Sequence, residues 1–233
     1  MVEKLRPFIN GNYVESKTDK YSDIYDPSTG EVIAQAPICT HEEVEAAVKA
    51  AAAAFPAWSQ TPARRRADLM FKLRDLIVAH FDELTMMVAR ENGKAWSEAA
   101  GDVQKALEMT EFACGIPTLM MGEGQMNVSN GYDPVRYCEP LGVYAGIAPW
   151  NFPAMIPMGW MSPLAIACGN TYVLKAATAT PMTCLRFAEL YKEAGFPDGV
   201  LNIVTCSRNE AELLLKHPDV KGVTFVGSTA VGP

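Results

Sequence analysis

The chain has 233 residues, 49% hydrophobic and 20% charged, with 20 Lys and Arg against 27 Asp and Glu, a net charge of −7. This is the composition of a folded globular chain long enough to bury a core, not of a disordered tail. The acidic balance argues against a nucleic-acid binder, which carries a basic surplus, and against a protein of anionic membrane surfaces.

The first part of the chain, to about residue 140, opens on short strands. Phe8-Ile9 and Tyr13-Val14 flank Asn10-Gly11, the dipeptide of a two-residue hairpin. Asp26-Pro27-Ser28-Thr29-Gly30 is a second turn cluster. Helices follow. Thr40 and Glu43 form a capping-box pattern before an alanine-rich run expected to end near Pro56. Thr61-Pro62 predicts a cap and then proline at the first helical position, with Leu69, Leu73, Leu76 and Ile77 at helical spacing behind it. The next helix is predicted to stop at Gly93, and another to run from about Ser97 towards Cys114. Asn130-Gly131 marks a second hairpin between two polar segments. A hairpin this polar packs poorly on its own core, which suits an arm that pairs with other protein.

The second part alternates. Strands are predicted at 143–148, 171–174, 200–204 and 223–226, and helices at 152–167, 182–194 and 208–216, with a last helix opening at Ser228. Such alternation implies a parallel sheet with crossover helices, a Rossmann-like α/β fold of four strands. The stretch from Leu141 to Leu174 holds no Asp, Glu, Lys, Arg or His, yet it carries Pro149, Pro153, Pro157, Pro163, Asn151 and Asn170. Those residues would strand polar groups in lipid, so it reads as a buried strand–helix–strand unit and no membrane span is expected. The start of the chain has no apolar stretch of a secretory leader. The six cysteines are scattered without a C-x-x-C pair, as expected of free thiols in a reducing, cytoplasmic setting. The three histidines are far apart and suggest no metal site.

In a sheet of this kind ligands bind beyond the carboxyl ends of the strands. Asn151, Lys175 and the Gly227-Ser228 turn each follow a strand there. Asn151 is either a turn cap between two prolines or an amide donor to a developing oxyanion. Lys175 is either a strand-end lysine reaching for solvent or a donor to a ribose or phosphate. Ser228 is either a helix cap or part of a phosphate site. None of the cysteines has a histidine or cationic sequence neighbourhood that would activate it, so all six read as packing residues.

Ile147-Ala-Pro-Trp-Asn-Phe-Pro153, Leu174-Lys175 and Phe225-Val-Gly-Ser-Thr-Ala-Val-Gly232, in this order and spacing, resemble the aldehyde dehydrogenase superfamily. Phe8-Ile-Asn-Gly11, Tyr25 to Val32 and Glu91-Asn-Gly-Lys94 are similar to it as well. Glu111–Gly115, Leu119–Glu123, Pro163–Asn170 and His217–Lys221 most resemble its CoA-acylating methylmalonate-semialdehyde dehydrogenases. The resemblance implies that a cysteine attacks an aldehyde, that hydride passes to NAD or NADP, and that water or CoA releases the thioester. It implies that Asn151 is the side-chain donor of the oxyanion hole. It implies that Ile147, Ala148, Pro149 and Trp150 line the cofactor, that Lys175 and Thr178 face the adenosine ribose, and that Gly227 and Ser228 meet the pyrophosphate. The Asn130-Gly131 hairpin, within 125–140, resembles the family's oligomerisation arm, which implies a homo-oligomer. Residues 1–124 are then strands and helices packed on a cofactor-binding part at 141–233.

Three departures from the family pattern are expected to matter. Lys175-Ala-Ala-Thr178 stands where Lys-Pro-Ser/Ala-Glu is common, so the glutamate that usually meets the ribose is replaced by Thr178. Gly159 looks like a one-residue insertion, and Lys105 stands where the subgroup has an arginine thought to grip the substrate carboxylate. The family's catalytic cysteine and general-base glutamate fall beyond Gly232, so the chain is expected to be a fragment that catalyses nothing alone. The alternatives are a semialdehyde dehydrogenase of succinate-semialdehyde type that releases a free acid, and a non-catalytic nucleotide-binding or partner-pairing module.

Overall fold

A computed structural model describes residues 2–229 and 232. The chain begins with β1 (Glu3–Lys4), β2 (Phe8–Ile9), β3 (Asn12–Tyr13), β4 (Tyr21–Tyr25) and β5 (Val32–Pro37). The helices are α1 (His41–Ser59), α2 (Ala63–Ala79), α3 (Phe81–Asn92), α4 (Trp96–Cys114) and the short α5 (Ile116–Leu119). Then come β6 (Val143–Ile147), a π-helix (Met155–Met161), α6 (Ser162–Ala167), β7 (Thr171–Lys175), α7 (Met182–Ala194), β8 (Leu201–Val204), α8 (Arg208–Lys216) and β9 (Val220–Phe225).

The main sheet has six strands in the order β3-β2-β8-β7-β6-β9. Four of its members, β8, β7, β6 and β9, are parallel, as the alternation implied. The N-terminal hairpin adds antiparallel to β8 through Phe8 and Ile203. Asn10 and Gly11 both take positive φ, the geometry an Asn-Gly hairpin turn requires. A smaller sheet, β1-β5-β4, stands apart, with Asp26 to Gly30 forming the turn between its antiparallel strands.

The core lies between the parallel sheet and α2, α4 and α7, around Met70, Leu73, Ile77, Val103, Tyr172, Phe187 and Ile203. A second cluster on the other sheet face joins Val44, Val48, Val143, Val173, Val204 and Leu214 under α1 and α8. Thr40 and Glu43 make both bonds of the capping box that opens α1.

Three local expectations change. α1 continues through Pro56 to Ser59. Trp58 explains this: its ring is buried and its indole N–H donates to Ile166 O at 3.0 Å, tying the last turn to α6. Thr61 does not cap α2, which starts at Ala63 without a side-chain cap; its hydroxyl donates backwards to Ala57 O at 3.1 Å. The helix expected over 152–167 divides into the π-helix and α6. Each hydrogen bond of a π-helix spans one residue more than in an α-helix, which is how a helix absorbs an extra residue such as Gly159.

Around Asn130-Gly131 the chain forms two isolated antiparallel bridges, Gly124 to Val135 and Ser129 to Tyr132. Residues 121–137 are exposed throughout. The last helix expected after Ser228 lies outside the described residues, except that Gly232 N–H donates to Ser228 O at 3.2 Å. No described helix is long and apolar enough to cross a membrane.

Candidate functional site

The carboxyl ends of the parallel strands lie level. Ile147 on β6 is in register with Lys175 on β7 and with Phe225 on β9, and Lys175 is in register with Val204 on β8. The backbone holds this alignment one residue further: Ala148 N–H donates to Lys175 O at 3.2 Å, and Val226 N–H to Ile147 O at 3.3 Å. Three of the four chain turns leaving these ends carry the residues singled out from sequence. Ile147 to Asn151 leave β6, Lys175 to Thr178 leave β7, and Gly227-Ser228 leave β9.

Ala148 is buried and Pro149 and Ile147 are half-buried, while Trp150 is 63% exposed and Asn151 is exposed. Two side chains that sequence reasoning did not single out fix this turn from opposite directions. Asn92 Nδ2 donates to Trp150 O at 2.9 Å, and Thr180 Oγ1 donates to the same oxygen at 3.1 Å. Thr180 also closes the turn after β7, its N–H donating to Ala177 O at 3.2 Å, so Thr178 sits at the centre of a turn tied to Trp150. The signal for Thr180 in the sequence was weak, since a threonine before proline reads as an ordinary turn residue.

Lys175 is half-buried, and no hydrogen bond or ion pair of its ammonium is found among the described residues. Burial holds its pKa below the usual lysine value, with Cys206 opposing that shift. A half-buried cation with three free donors at the mouth of a parallel sheet is suited to hydroxyls or phosphate oxygens. Gly227 and Ser228 are exposed beside Phe225 at the sheet edge. Small residues flank the strand ends: Ala148, Ala176, Ala177 and Gly227. These features fit a nucleotide laid across the strand ends.

Lys105 stands apart from this group. It is exposed on α4, and its ammonium pairs with Glu108 Oε2 at 2.7 Å. Its own carbonyl faces Gly159 of the π-helix. A cavity of about 230 Å³ lies elsewhere, between the N-terminal strands and α7. There Arg6 pairs with Glu15, and Arg186 with Glu83 and Glu189.

The thiols give the site no nucleophile. Cys39, Cys114, Cys184 and Cys206 are buried. Burial raises all four, Cys39 to about 12 and Cys114 and Cys206 to about 11, and it raises Cys168 as well.

The family profile described as "Aldehyde dehydrogenase family" matches residues 13–233. A malonate-semialdehyde dehydrogenase of Geobacillus thermodenitrificans is 51% identical over 231 residues, 99% of this chain and 48% of its own length. Among solved structures, the methylmalonate-semialdehyde dehydrogenase of Oceanimonas doudoroffii superposes with a TM-score of 0.95 at 40% identity, covering 99% of this chain and 47% of that one. The aldehyde dehydrogenase of Bacillus cereus in its NAD+ complex superposes with a TM-score of 0.92 at 37% identity, covering 99% and 47%. The chain thus spans about half the length of the relatives it matches.

Proposed function

The chain belongs to the aldehyde dehydrogenase family, and on that premise we propose that it is the nucleotide-binding part of an NAD(P)-dependent dehydrogenase that oxidises malonate or methylmalonate semialdehyde to an acyl-CoA. The observation that carries this reading is the pairing of two groups at level strand ends. The exposed Asn151 amide follows β6, and the unpaired, half-buried Lys175 ammonium ends β7. The names of the relatives support the substrate class, and the NAD+ complex of a structural neighbour supports the cofactor.

The residues divide the work. Lys175 donates to the ribose hydroxyls, and Thr178 beside it is neutral. A neutral threonine does not repel a 2′-phosphate as a glutamate would, so NADP is admitted beside NAD. Gly227 and Ser228 offer an N–H and a hydroxyl to the pyrophosphate. Ile147, Ala148, Pro149 and Trp150 form the wall beside the nicotinamide. The bound cofactor supplies a hydride acceptor. Asn151 donates its amide N–H to the aldehyde oxygen as negative charge develops there, when a hydrogen bond is worth more than in the ground state. The attacking thiol comes from outside residues 1–233, in keeping with the burial of four of the six cysteines of this stretch. Lys105 reaches the carboxylate of the semialdehyde by exchanging Glu108 for it. The exposed hairpin at 125–140 pairs with a second copy in a homo-oligomer.

The test is turnover of malonate semialdehyde by the complete protein with NAD and CoA. Reduced cofactor together with acyl-CoA is expected, and a free acid without acyl-CoA would favour the succinate-semialdehyde type. Asn151→Ala is expected to lower kcat by about 10²–10³ with little change in cofactor affinity. An unchanged kcat with chemistry rate-limiting would return Asn151 to the role of a turn cap.

A further inference from the structure

The segment that carries Asn151 is gripped on every side except at Asn151 itself. Trp150 O accepts from Asn92 and Thr180. Pro153 O accepts from Cys184 Sγ at 3.4 Å. Met155 N–H, which opens the π-helix, donates to Asp102 Oδ1 at 2.6 Å. The other oxygen of that carboxylate, Oδ2, accepts from Lys94 Nζ at 2.7 Å. The same ammonium lies 3.9 Å from the centre of the Phe152 ring. The Asp102 side chain is fully buried and that of Lys94 is 15% exposed.

A charge pair so far from water is a costly way to tie a loop to a helix. Removing two ions from water often outweighs their attraction, and well-packed apolar residues would fasten the loop before α4 as firmly. This pair also does something apolar residues cannot. The carboxylate holds a backbone N–H three residues after Phe152 with a charge-assisted bond, and the ammonium pins the Phe152 ring by a cation–π contact. Between these anchors and the doubly bonded Trp150 O, the backbone of residue 151 has little freedom, while its side chain is unencumbered. Asn92 and the Lys94–Asp102 pair hold the turn from the stretch Asn92 to Asp102, while Thr180 and Cys184 hold it from the side of α7.

We infer that Lys94 and Asp102 are positioning residues for the Asn151 amide: their buried ion pair fixes the turn from Trp150 to Met155 so that the amide is held ready at the strand ends. This rests on the reading of Asn151 as an oxyanion donor, and it adds which residues make that donor effective. A donor that must be preorganised loses much of its value when its support slackens, and a misplacement of about 1 Å can cost about 10²-fold in rate.

The experiment uses the complete protein and two variants that remove the charges. Lys94→Met strands a buried carboxylate and is open to misfolding. Lys94→Met/Asp102→Asn removes both charges, keeps similar shapes and serves where the single variant fails to fold. Amide hydrogen exchange over residues 150–156 reads the clamp without reference to activity, and kcat reads its consequence. In the double variant, faster exchange in that segment is expected, with kcat lowered by roughly 10- to 10²-fold and cofactor Kd within about twofold of wild type. Added to Asn151→Ala, the same double change is expected to cost little more in kcat, because the group it positions is gone. Unchanged exchange at 150–156, or an equal fold-loss with and without Asn151, overturns the inference. An unaltered kcat in Asn151→Ala alone, beside faster exchange in the double variant, overturns the donor reading and with it the catalytic purpose of the clamp.

Discussion

At the scale of single residues, Glu91 illustrates how the site's supports are charged. It lies on α3, buried, and accepts the first two N–H groups of α7: Met182 N–H at 2.8 Å and Thr183 N–H at 2.9 Å. Burial pushes its carboxyl up to about 7; the hydrogen bonds from Thr183 and Met182 resist this, and the nearby Asp102 charge reinforces it. The folded-state pKa therefore exceeds the unfolded one. Stability from this group is full below about pH 4.5 and is lost as the pH climbs through about 7, a change on the order of 3 kcal/mol. Glu91→Gln cannot titrate. The stability difference between wild type and Glu91→Gln is expected to shift against the wild type between pH 5 and 8. Denaturant midpoints measured across that range check it, and parallel profiles would show that Glu91 is already ionised at pH 5. The sequence marked Glu91 as part of a Glu-Asn-Gly-Lys motif but gave no sign of its buried helix-capping role, since its partners lie 91 and 92 residues away.

At the scale of elements, the π-helix from Met155 to Met161 is packed on α4. Gly159 makes that packing possible. A Cβ there would lie 2.9 Å from Ala106 Cα and 3.4 Å from Lys105 O, both backbone atoms that cannot swing aside. Gly159→Ala is thus expected to force α4 and the π-helix apart and to destabilise the fold by about 1–3 kcal/mol. Gly101 on the same α4 has nothing within 4 Å of the equivalent position. Gly101→Ala should instead stabilise by about 0.5–1 kcal/mol, the helix-propensity gain alone. Thermal melts of the two variants give opposite shifts if the close approach is real, and a neutral Gly159→Ala would show that the helices yield freely.

At the scale of the whole molecule, the candidate site lies at the carboxyl ends of the parallel strands, in a sheet whose last strand, β9, forms the edge with Val223 and Phe225 partly exposed. Four of the chain's six thiols are buried and burial raises their pKa, that of Cys206 near Lys175 included, so residues 1–233 alone, given NAD and malonate semialdehyde, are expected to form no reduced cofactor; turnover above background would place a working thiol among these six. The sequence by itself determined the parallel α/β architecture, because alternating short apolar runs and capped amphipathic helices are local signals. It also placed Asn151, Lys175 and Ser228 just past strands, because strand ends are read from the same runs. Where the local signal was a proline, as at Pro56 and Pro62, the helix ends came out one turn or one residue off, since the contacts of Trp58 and the backward bond of Thr61 are tertiary. Only the tertiary structure decided that β6, β7, β8 and β9 end level, that Thr180 and Asn92 meet on Trp150 O, and that a Lys94–Asp102 pair grips the turn between them. The side-chain pairings among these join residues from 8 to 58 positions apart, and no local propensity specifies which of the buried polar groups in a chain will find one another until the core has closed around them.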